Sequence, residues 1–250
     1  MVRVVDTDVA RPELTAAIDE TLLQARVAGT CGDTVHLYRR RPPSVSIGYF
    51  QSAAEVADLE ACRRDDVPVV RRASGGGAIF TDDRQLVYAL VWAPPKAATA
   101  KEGFDLACGA IARALGRLGA KGVERSGVND VLVWGRKVSG SAQAIRRDVH
   151  LLHGTVLVDA DLDAMFTYLR PLGVKLEAQG LKAPAARVTT LGAVLGRVPP
   201  MEEVKRALVE ELCAAIGGVP LSGTLDAQER ERAEALVSSR FSLDSWNLRR

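Results

Sequence analysis

Apolar positions along the chain switch repeatedly between helical spacing and strand-like runs. Behind Pro12, a residue suited to the first turn of a helix, Leu14, Ala17, Ile18 and Leu22 recur on one helical face. Thr34 to Tyr38 reads as a strand, and Ser44 to Ile47 as another beyond the Pro42–Pro43 break. Val67 to Val70 is a short buried-strand candidate, and Leu86 to Trp92 (LVYALVW) is a strong strand stopped by Pro94 and Pro95. The clearest helix is expected from Phe104 to Leu118, where Phe104, Ala107, Cys108, Ile111, Ala112, Leu115 and Leu118 form one face. Val131 to Trp134 reads as a strand, Gly135 and Arg136 as a turn, and Lys137 and Val138 as the start of the next strand. Leu151 to Val158 is a further strand. Asp161 to Leu169 is a helix with Leu162, Met165, Phe166 and Leu169 inward. A helix from Met201 to Ile216 follows a proline and ends at Gly217–Gly218, and a charged helix runs from Ala227 to Val237. Strands outnumber crossover helices and several neighbours are close enough for hairpins. The expectation is an α/β fold with a mixed, mostly antiparallel sheet and packed helices, not a doubly wound parallel sheet.

The chain has 250 residues, enough to bury a substantial core. With no repeat, low-complexity tract or obvious linker, residues 1–250 are expected to form one domain. The 47% hydrophobic and 26% charged residues rule out a mainly disordered chain. The 33 basic and 31 acidic residues nearly balance, so bulk charge gives no argument for a nucleic-acid or membrane partner. Cys31, Cys62, Cys108 and Cys213 are scattered without CxxC pairing, which disfavours a disulfide framework or a cysteine zinc site. No apolar run is long enough for a membrane span, and the charged N-terminus does not read as a signal peptide. A cytoplasmic protein with reduced thiols is the expectation.

Three stretches carry candidate chemistry. In Arg71-Arg72-Ala73-Ser74-Gly75-Gly76-Gly77-Ala78-Ile79-Phe80, three glycines between apolar segments permit close backbone approach, and the flanking arginines offer charge-assisted contacts. Successive amides there suit an anion such as phosphate, although no Walker lysine follows. A plain surface turn with solvated arginines is the competing reading. In the second stretch, Asn129 to Gln143, Lys137 lies next to a tight turn and is followed by Ser139 and Gly140. It can act as a point charge, while Asn129 and Asp130 offer oxygens to Mg²⁺. An ordinary hairpin is the alternative. The third, His150-Leu151-Leu152-His153-Gly154-Thr155-Val156, holds a histidine beside glycine, either a general base or a packed structural residue. No further ligand lies nearby to make a zinc site, and no GxSxG elbow is present.

In this order, RRASGGGAIF, NDVLVWGRKVSGSAQ and HGTVLV resemble the lipoate–protein ligase A family. The similarity extends to Pro43–Gln51 (PSVSIGYFQ), to Ala186–Leu191 (ARVTTL) and to Asp244–Asn247 (DSWN), and so covers most of the chain. The resemblance implies the biotin/lipoate ligase catalytic-domain fold, related to class II aminoacyl-tRNA synthetases. It implies activation of lipoate by MgATP to lipoyl-adenylate and transfer to a lysine of a lipoyl carrier domain, of the E2 or glycine-cleavage H type. By similarity, Lys137 contacts the lipoyl carbonyl and the adenylate phosphate. Arg72 and Gly77, Ala78, Ile79 and Phe80 match nucleotide-binding positions, and Ser74, Gly75 and Gly76 the wall beside the lipoyl chain. Asn129 and Asp130 match the pair near phosphate and metal, with Asp130 the metal candidate. Ser139, Gly140, His153, Gly154 and Thr155 complete the expected lining.

Two departures stand out. Thr81-Asp82-Asp83-Arg84-Gln85 replaces the family's usual His-Asp-Leu-Gly-Asn. The chain also stops about where the ligase catalytic domain ends, which resembles relatives whose small C-terminal domain is a separate polypeptide. The ligase, with such a subunit as partner, is the main expectation. Octanoyltransferase is the nearest enzyme alternative: it moves an acyl group from acyl carrier protein through a cysteine thioester. Its usual cysteine lies shortly before the strand leading to GRK, where this chain reads Gly122-Val123-Glu124-Arg125-Ser126. Biotin ligase fits less well because the motif here is SGGGA. A non-enzymatic lipoate-binding protein is the alternative of another class.

Overall fold

The computed structural model describes residues 1–170 and 187–249. It opens with β1 (Val2–Ala10), a strand that the charged N-terminus had hidden, followed by α1 (Pro12–Ala28). Pro12 sits in the first turn of α1, and Gly29, at φ 72°, ends it in the left-handed region. β2 (Thr34–Arg40) and β3 (Ser44–Ile47) lead to the short helices α2 (Ala53–Val56) and α3 (Leu59–Arg64). β4 (Val69–Arg71), β5 (Ile79–Thr81) and β6 (Leu86–Trp92) follow. Then come α4 (Ala100–Arg117), β7 (Val123–Ser126), β8 (Asp130–Val133), β9 (Arg136–Arg146) and β10 (Val149–Val156). The remaining elements are α5 (Leu162–Tyr168), α6 (Leu191–Leu195), α7 (Met201–Ala215), β11 (Pro220–Gly223), α8 (Ala227–Leu236) and α9 (Asp244–Asn247).

The main sheet has the order β11-β1-β2-β6-β10-β9-β8-β7. β1 is parallel to both of its neighbours, and every pairing from β2 through β7 is antiparallel. A smaller sheet has the order β4-β3-β5. This is the expected mixed, mostly antiparallel architecture. All of β6 is buried because helices cover both faces of the sheet. Leu86, Tyr88, Leu90 and Trp92 pack toward α4 and α7, whereas Ala89 and Val91 pack toward α1 and α8. A third apolar cluster fills the space between the small sheet and α5, with Phe80 stacked on Tyr168. No helix among the described residues is long and apolar enough to cross a membrane.

Some expected boundaries move for local reasons. α4 begins at Ala100 rather than Phe104, because Thr99 and Glu102 form a capping box just outside the apolar stripe. The turn after β8 is Trp134–Gly135, not Gly135–Arg136; both residues have positive φ, as a tight two-residue hairpin requires. Arg147 and Asp148 turn the β9–β10 hairpin in the same way without a glycine, so β9 runs on well past Val138. The buried-strand candidate at Val67 starts later, at Val69, and α8 gives way after Leu236 to a wider turn over Val237–Phe241. Of the Ala186–Leu191 match, Ala186 lies outside the described residues.

Candidate active site

The glycine loop between β4 and β5 folds over its own arginine. Arg72 is buried and donates from Nε to Ser74 Oγ, from Nη1 to the Ser46 carbonyl, and from Nη2 to the carbonyls of Gly75 and Gly77. Burial and the nearby Arg40 push its guanidinium down to about 10. Gly48 lets the loop close: a Cβ there would meet the Gly76 carbonyl oxygen at 2.1 Å. Gly76 itself has φ 87°, a conformation that favours glycine. Arg71 was expected beside Arg72 as a second anion contact, but it turns the other way. Its guanidinium is fully buried and donates to the carbonyls of Gly48, Tyr49, Gln51, Trp246, Asn247 and Arg249. That clamp, with the Trp246 indole donating back to the Arg71 carbonyl, gives the DSWN segment its place beside the loop.

Behind the loop lies a buried polar chain. Asp19 on α1 accepts from His153 Nδ1 at 3.0 Å, from His36 Nδ1 at 2.9 Å and from the Tyr38 hydroxyl at 3.0 Å. Burial alone would raise the Asp19 carboxyl, but the hydrogen bonds from His153 and His36 outweigh it and hold the group well below the carboxylate range. With both Nδ1 atoms donating to Asp19, the network assigns Nε2 as the acceptor on each ring. His153 Nε2 receives the Ser74 hydroxyl and His36 Nε2 the Thr7 hydroxyl. Ser74, His153 and Asp19 thus share the connectivity of a hydrolase triad. Ser74 is only 1% exposed and its oxygen already accepts from Arg72, so it ties the loop to the sheet instead of facing a substrate.

Lys137 is aimed by a β-bulge. Val131 pairs with Ser139 but Leu132 pairs with Lys137, which leaves Val138 as the extra residue. The Lys137 ammonium lies 2.7 Å from Asp130 Oδ1. A Cβ on Gly140 would sit 2.6 Å from Lys137 Cε and Nζ, so the glycine makes the room that the lysine occupies. The Lys137 carbonyl accepts from Thr189, and Lys137 bridges Val188, which places the VTT segment alongside it. Asn129 is locked to Ser141 by its side-chain amide and its carbonyl.

These elements enclose a cavity of about 140 Å³ with mostly apolar walls. Among the expected residues, Arg72, Gly77, Ala78, Ile79, Asn129, Lys137, Gly140, His153, Gly154 and Thr155 line it. Ser74, Gly75, Gly76, Phe80, Ser139 and Asp130 do not. Ser139 is buried, and Phe80 points into the cluster under the small sheet because alternate residues of β5 face opposite sides. Asp130 is occupied by Lys137, and among the described residues no group of three or more His, Cys, Asp or Glu could hold a metal ion. Sequence reasoning missed Ala16, Asp19, Tyr38, Arg40, Ser46, Ala73, Thr81, Val87, Ser141, Ala142 and Leu151, which also line the cavity. Ser46, Ala73, Ser141, Ala142 and Leu151 fall inside the motif stretches, and for the rest an Asp among the apolar residues of α1 was a signal.

None of the four cysteines lines the cavity. Cys62, Cys108 and Cys213 are buried, and burial pushes every thiol up, Cys62 and Cys213 to about 11.

Residues 11–213 match the family model described as the lipoyl protein ligase A/B catalytic domain. The chain is 32% identical to Octanoyltransferase LipM of Symbiobacterium thermophilum, over 94% of this chain and 93% of the relative. It is 31% identical, with the same coverage, to Octanoyltransferase LipM of Kyrpidia tusciae. Among solved structures it resembles a bi-partite lipoate protein ligase from Thermoplasma acidophilum, described together with its E2 lipoyl domain. The TM-score is 0.85 and the identity 25%, over 100% of this chain and 96% of that one. A lipoate-protein ligase A bound with ATP matches with TM-score 0.84 at 23% identity over 98% of both chains, a likeness of fold alone. The expected fold holds. The ATP-dependent ligase activity does not stand: relatives spanning nearly the whole chain carry the name octanoyltransferase, the activity weighed above as the alternative. One family model spans both the ligase and the transferase types, so the motifs identify the family and not the activity.

Proposed function

Since the chain belongs to the lipoyl protein ligase A/B catalytic domain family, we propose that it is an acyltransferase of the octanoyltransferase kind. It takes a medium-chain acyl group from a carrier thioester and passes it to the side-chain amine of a lysine on a lipoyl carrier domain. The observation that carries this reading is the apolar-walled cavity ending at Lys137, in a chain whose relatives are named octanoyltransferases.

The chemistry follows from the charges at the mouth. An acyl group that arrives as a thioester is already activated, so the reaction needs positioning and oxyanion stabilisation more than a further energy source. The acyl chain lies against Val87, Leu151 and Ile79, and its carbonyl meets Lys137. The carrier lysine attacks as the neutral amine. Its nitrogen bonds to the carbonyl carbon, the negative charge that develops on oxygen faces the Lys137 ammonium, and the carbon–sulfur bond then breaks. The departing thiolate takes the proton that the amine releases, so atoms and charge balance. Asp130 and the bulge hold Lys137 in place, and Asn129 fixes the neighbouring strand through Ser141.

The transfer is direct. An acyl-enzyme on cysteine needs an accessible thiolate, whereas all four thiols lie off the cavity with raised pKa. The test is to incubate the purified chain with an octanoyl-carrier thioester and a lipoyl domain, without nucleotide, and to follow the mass of the domain. Octanoylation of the domain is expected, with a loss of about 100-fold or more in Lys137→Ala. A domain left unmodified would overturn the proposal.

A further inference from the structure

Arg40 is a buried cation at the cavity wall with no counter-charge among the described residues. It is 3% exposed and lies at the end of β2. Its partners among the described residues are neutral hydroxyls: Nε donates to Thr15 Oγ1 at 2.9 Å, Nη1 reaches Thr81 Oγ1 at 3.5 Å, and Tyr38 lies alongside with its ring centroid 5.6 Å away. Arg72, another buried guanidinium at the wall, is satisfied by carbonyls and Ser74, and among the described residues it also lacks a carboxylate. Asp19, the one buried carboxylate at the wall, is committed to two histidines and Tyr38. At the mouth, Lys137 and Asp130 neutralise each other. The described residues therefore leave the enclosed space one positive charge in excess. An unpaired charge out of water is costly, so a site that keeps one has a use for a partner anion.

Strand register places that charge at the far end from Lys137. Tyr38, Val87, Thr155 and Gly140 are successive partners across β2, β6, β10 and β9. Three strand spacings separate β2 from β9, about 14 Å. Arg40 shares the Tyr38 face of β2, two residues on, while Lys137 lies on β9 beside Gly140. Val87 and Thr155 lie on that line between the two ends, and Leu151 adds an apolar wall farther along β10.

We propose that the cavity selects a medium-chain acyl group carrying a carboxylate at its far end, a half-acylated dicarboxylic acid, with Arg40 as the specificity-determining residue. This rests on the acyltransferase reading, since that reading puts the acyl carbonyl at Lys137. A methyl-terminated chain would leave Arg40 desolvated and unpaired. A carboxylate would accept from its planar guanidinium and balance the charge.

Binding and transfer separate the two readings. Calorimetric titration of the whole protein compares suberic acid monoamide with octanamide, two amides of equal chain length that differ at the far end. The monoamide is expected to bind at least about tenfold tighter. In Arg40→Met that advantage should vanish or reverse, and Arg40→Lys should retain part of it. Equal binding by the unaltered protein, or tighter binding of octanamide, would overturn the inference without any variant having to fold. An advantage that survives in a folded Arg40→Met would also overturn it. If the monoamide binds but no acyl group reaches a lipoyl domain from either thioester, the acyltransferase reading fails and the carboxylate site stands. If neither amide binds, both fail.

Discussion

At the scale of single residues, Asp19 organises the site without touching Lys137. One carboxylate collects three donors and so fixes His153, and through it Ser74 and the glycine loop. Its folded-state pKa lies below the ordinary value near 4, so its contribution to stability is complete above about pH 4 and is lost as pH falls toward the folded value. Asp19→Asn should cost on the order of 2 kcal/mol at neutral pH, from the weakened charge-assisted hydrogen bonds. It should also flatten the decline in stability as pH falls from about 4 to about 2, below the ordinary carboxylate pKa. Urea midpoints at both ends of that window check this; parallel declines for the two proteins would disprove it. Gly140→Ala tests the space beside Lys137. The added methyl would stand where Cε and Nζ now lie, so transfer should fall about tenfold or more while the melting temperature changes little. Unchanged turnover would show that Lys137 works from another position.

At the scale of elements, the site depends on irregularities in otherwise regular strands and helices. The bulge in β9 rotates Lys137 out of simple alternation, and the loop after β4 closes only because Gly48 lies beneath Gly76. Gly48→Ala would press a methyl against a backbone oxygen, which cannot swing aside as a side chain can. The expected result is a loop displaced from its position, with acyl-amide binding weakened at least about tenfold and the strands of the small sheet still formed. Titration together with far-UV circular dichroism reads both effects, and tight binding would show that the loop position is not required. Away from the site, the Thr99–Glu102 capping box starts α4. Thr99→Ala should cost about 1 kcal/mol. For a chain of this size that is a drop of roughly 2–4 °C in melting temperature, with transfer unaffected. Calorimetry and the transfer assay together distinguish this cap from the site residues.

At the scale of the molecule, α1, the main sheet and the β4–β5 loop meet at the cavity, and the cysteines lie elsewhere in the packing. A variant with all four cysteines replaced by Ala or Ser should keep acyl transfer at the unaltered rate per folded molecule. It should lose stability from the buried positions Cys62, Cys108 and Cys213. No acyl-thioester adduct should appear by mass spectrometry during turnover of the unaltered chain. An adduct on any cysteine would return the chemistry to a covalent route, and on Cys62, Cys108 or Cys213 it would require a rearrangement that exposes a buried thiol.

Local features could be read directly along the chain. Leu86–Trp92 was legible as a strand because a short β-branched and aromatic run between breakers has few alternatives. α7 was legible from its proline start and glycine stop, and the glycine loop, Lys137 and His153 stood out because their residue types and spacing are unusual along the chain. Two local rules misled. A charged strand such as β1 shows no clean alternation, because its parallel neighbours on both sides and the helices over it decide what is buried. Adjacent arginines look alike in sequence, but Arg71 ends β4 and Arg72 follows it with its side chain on the other side, so Arg71 braces the C-terminal segment and Arg72 the loop. The motif order told of a family and its fold, while the choice between activities lies in what surrounds the cavity. Only the tertiary structure brought Asp19 to His153, 134 positions apart, and set Arg40 against the same cavity as Lys137. Such pairings depend on sheet register and on a helix laid across the sheet, and no local period along the chain records them.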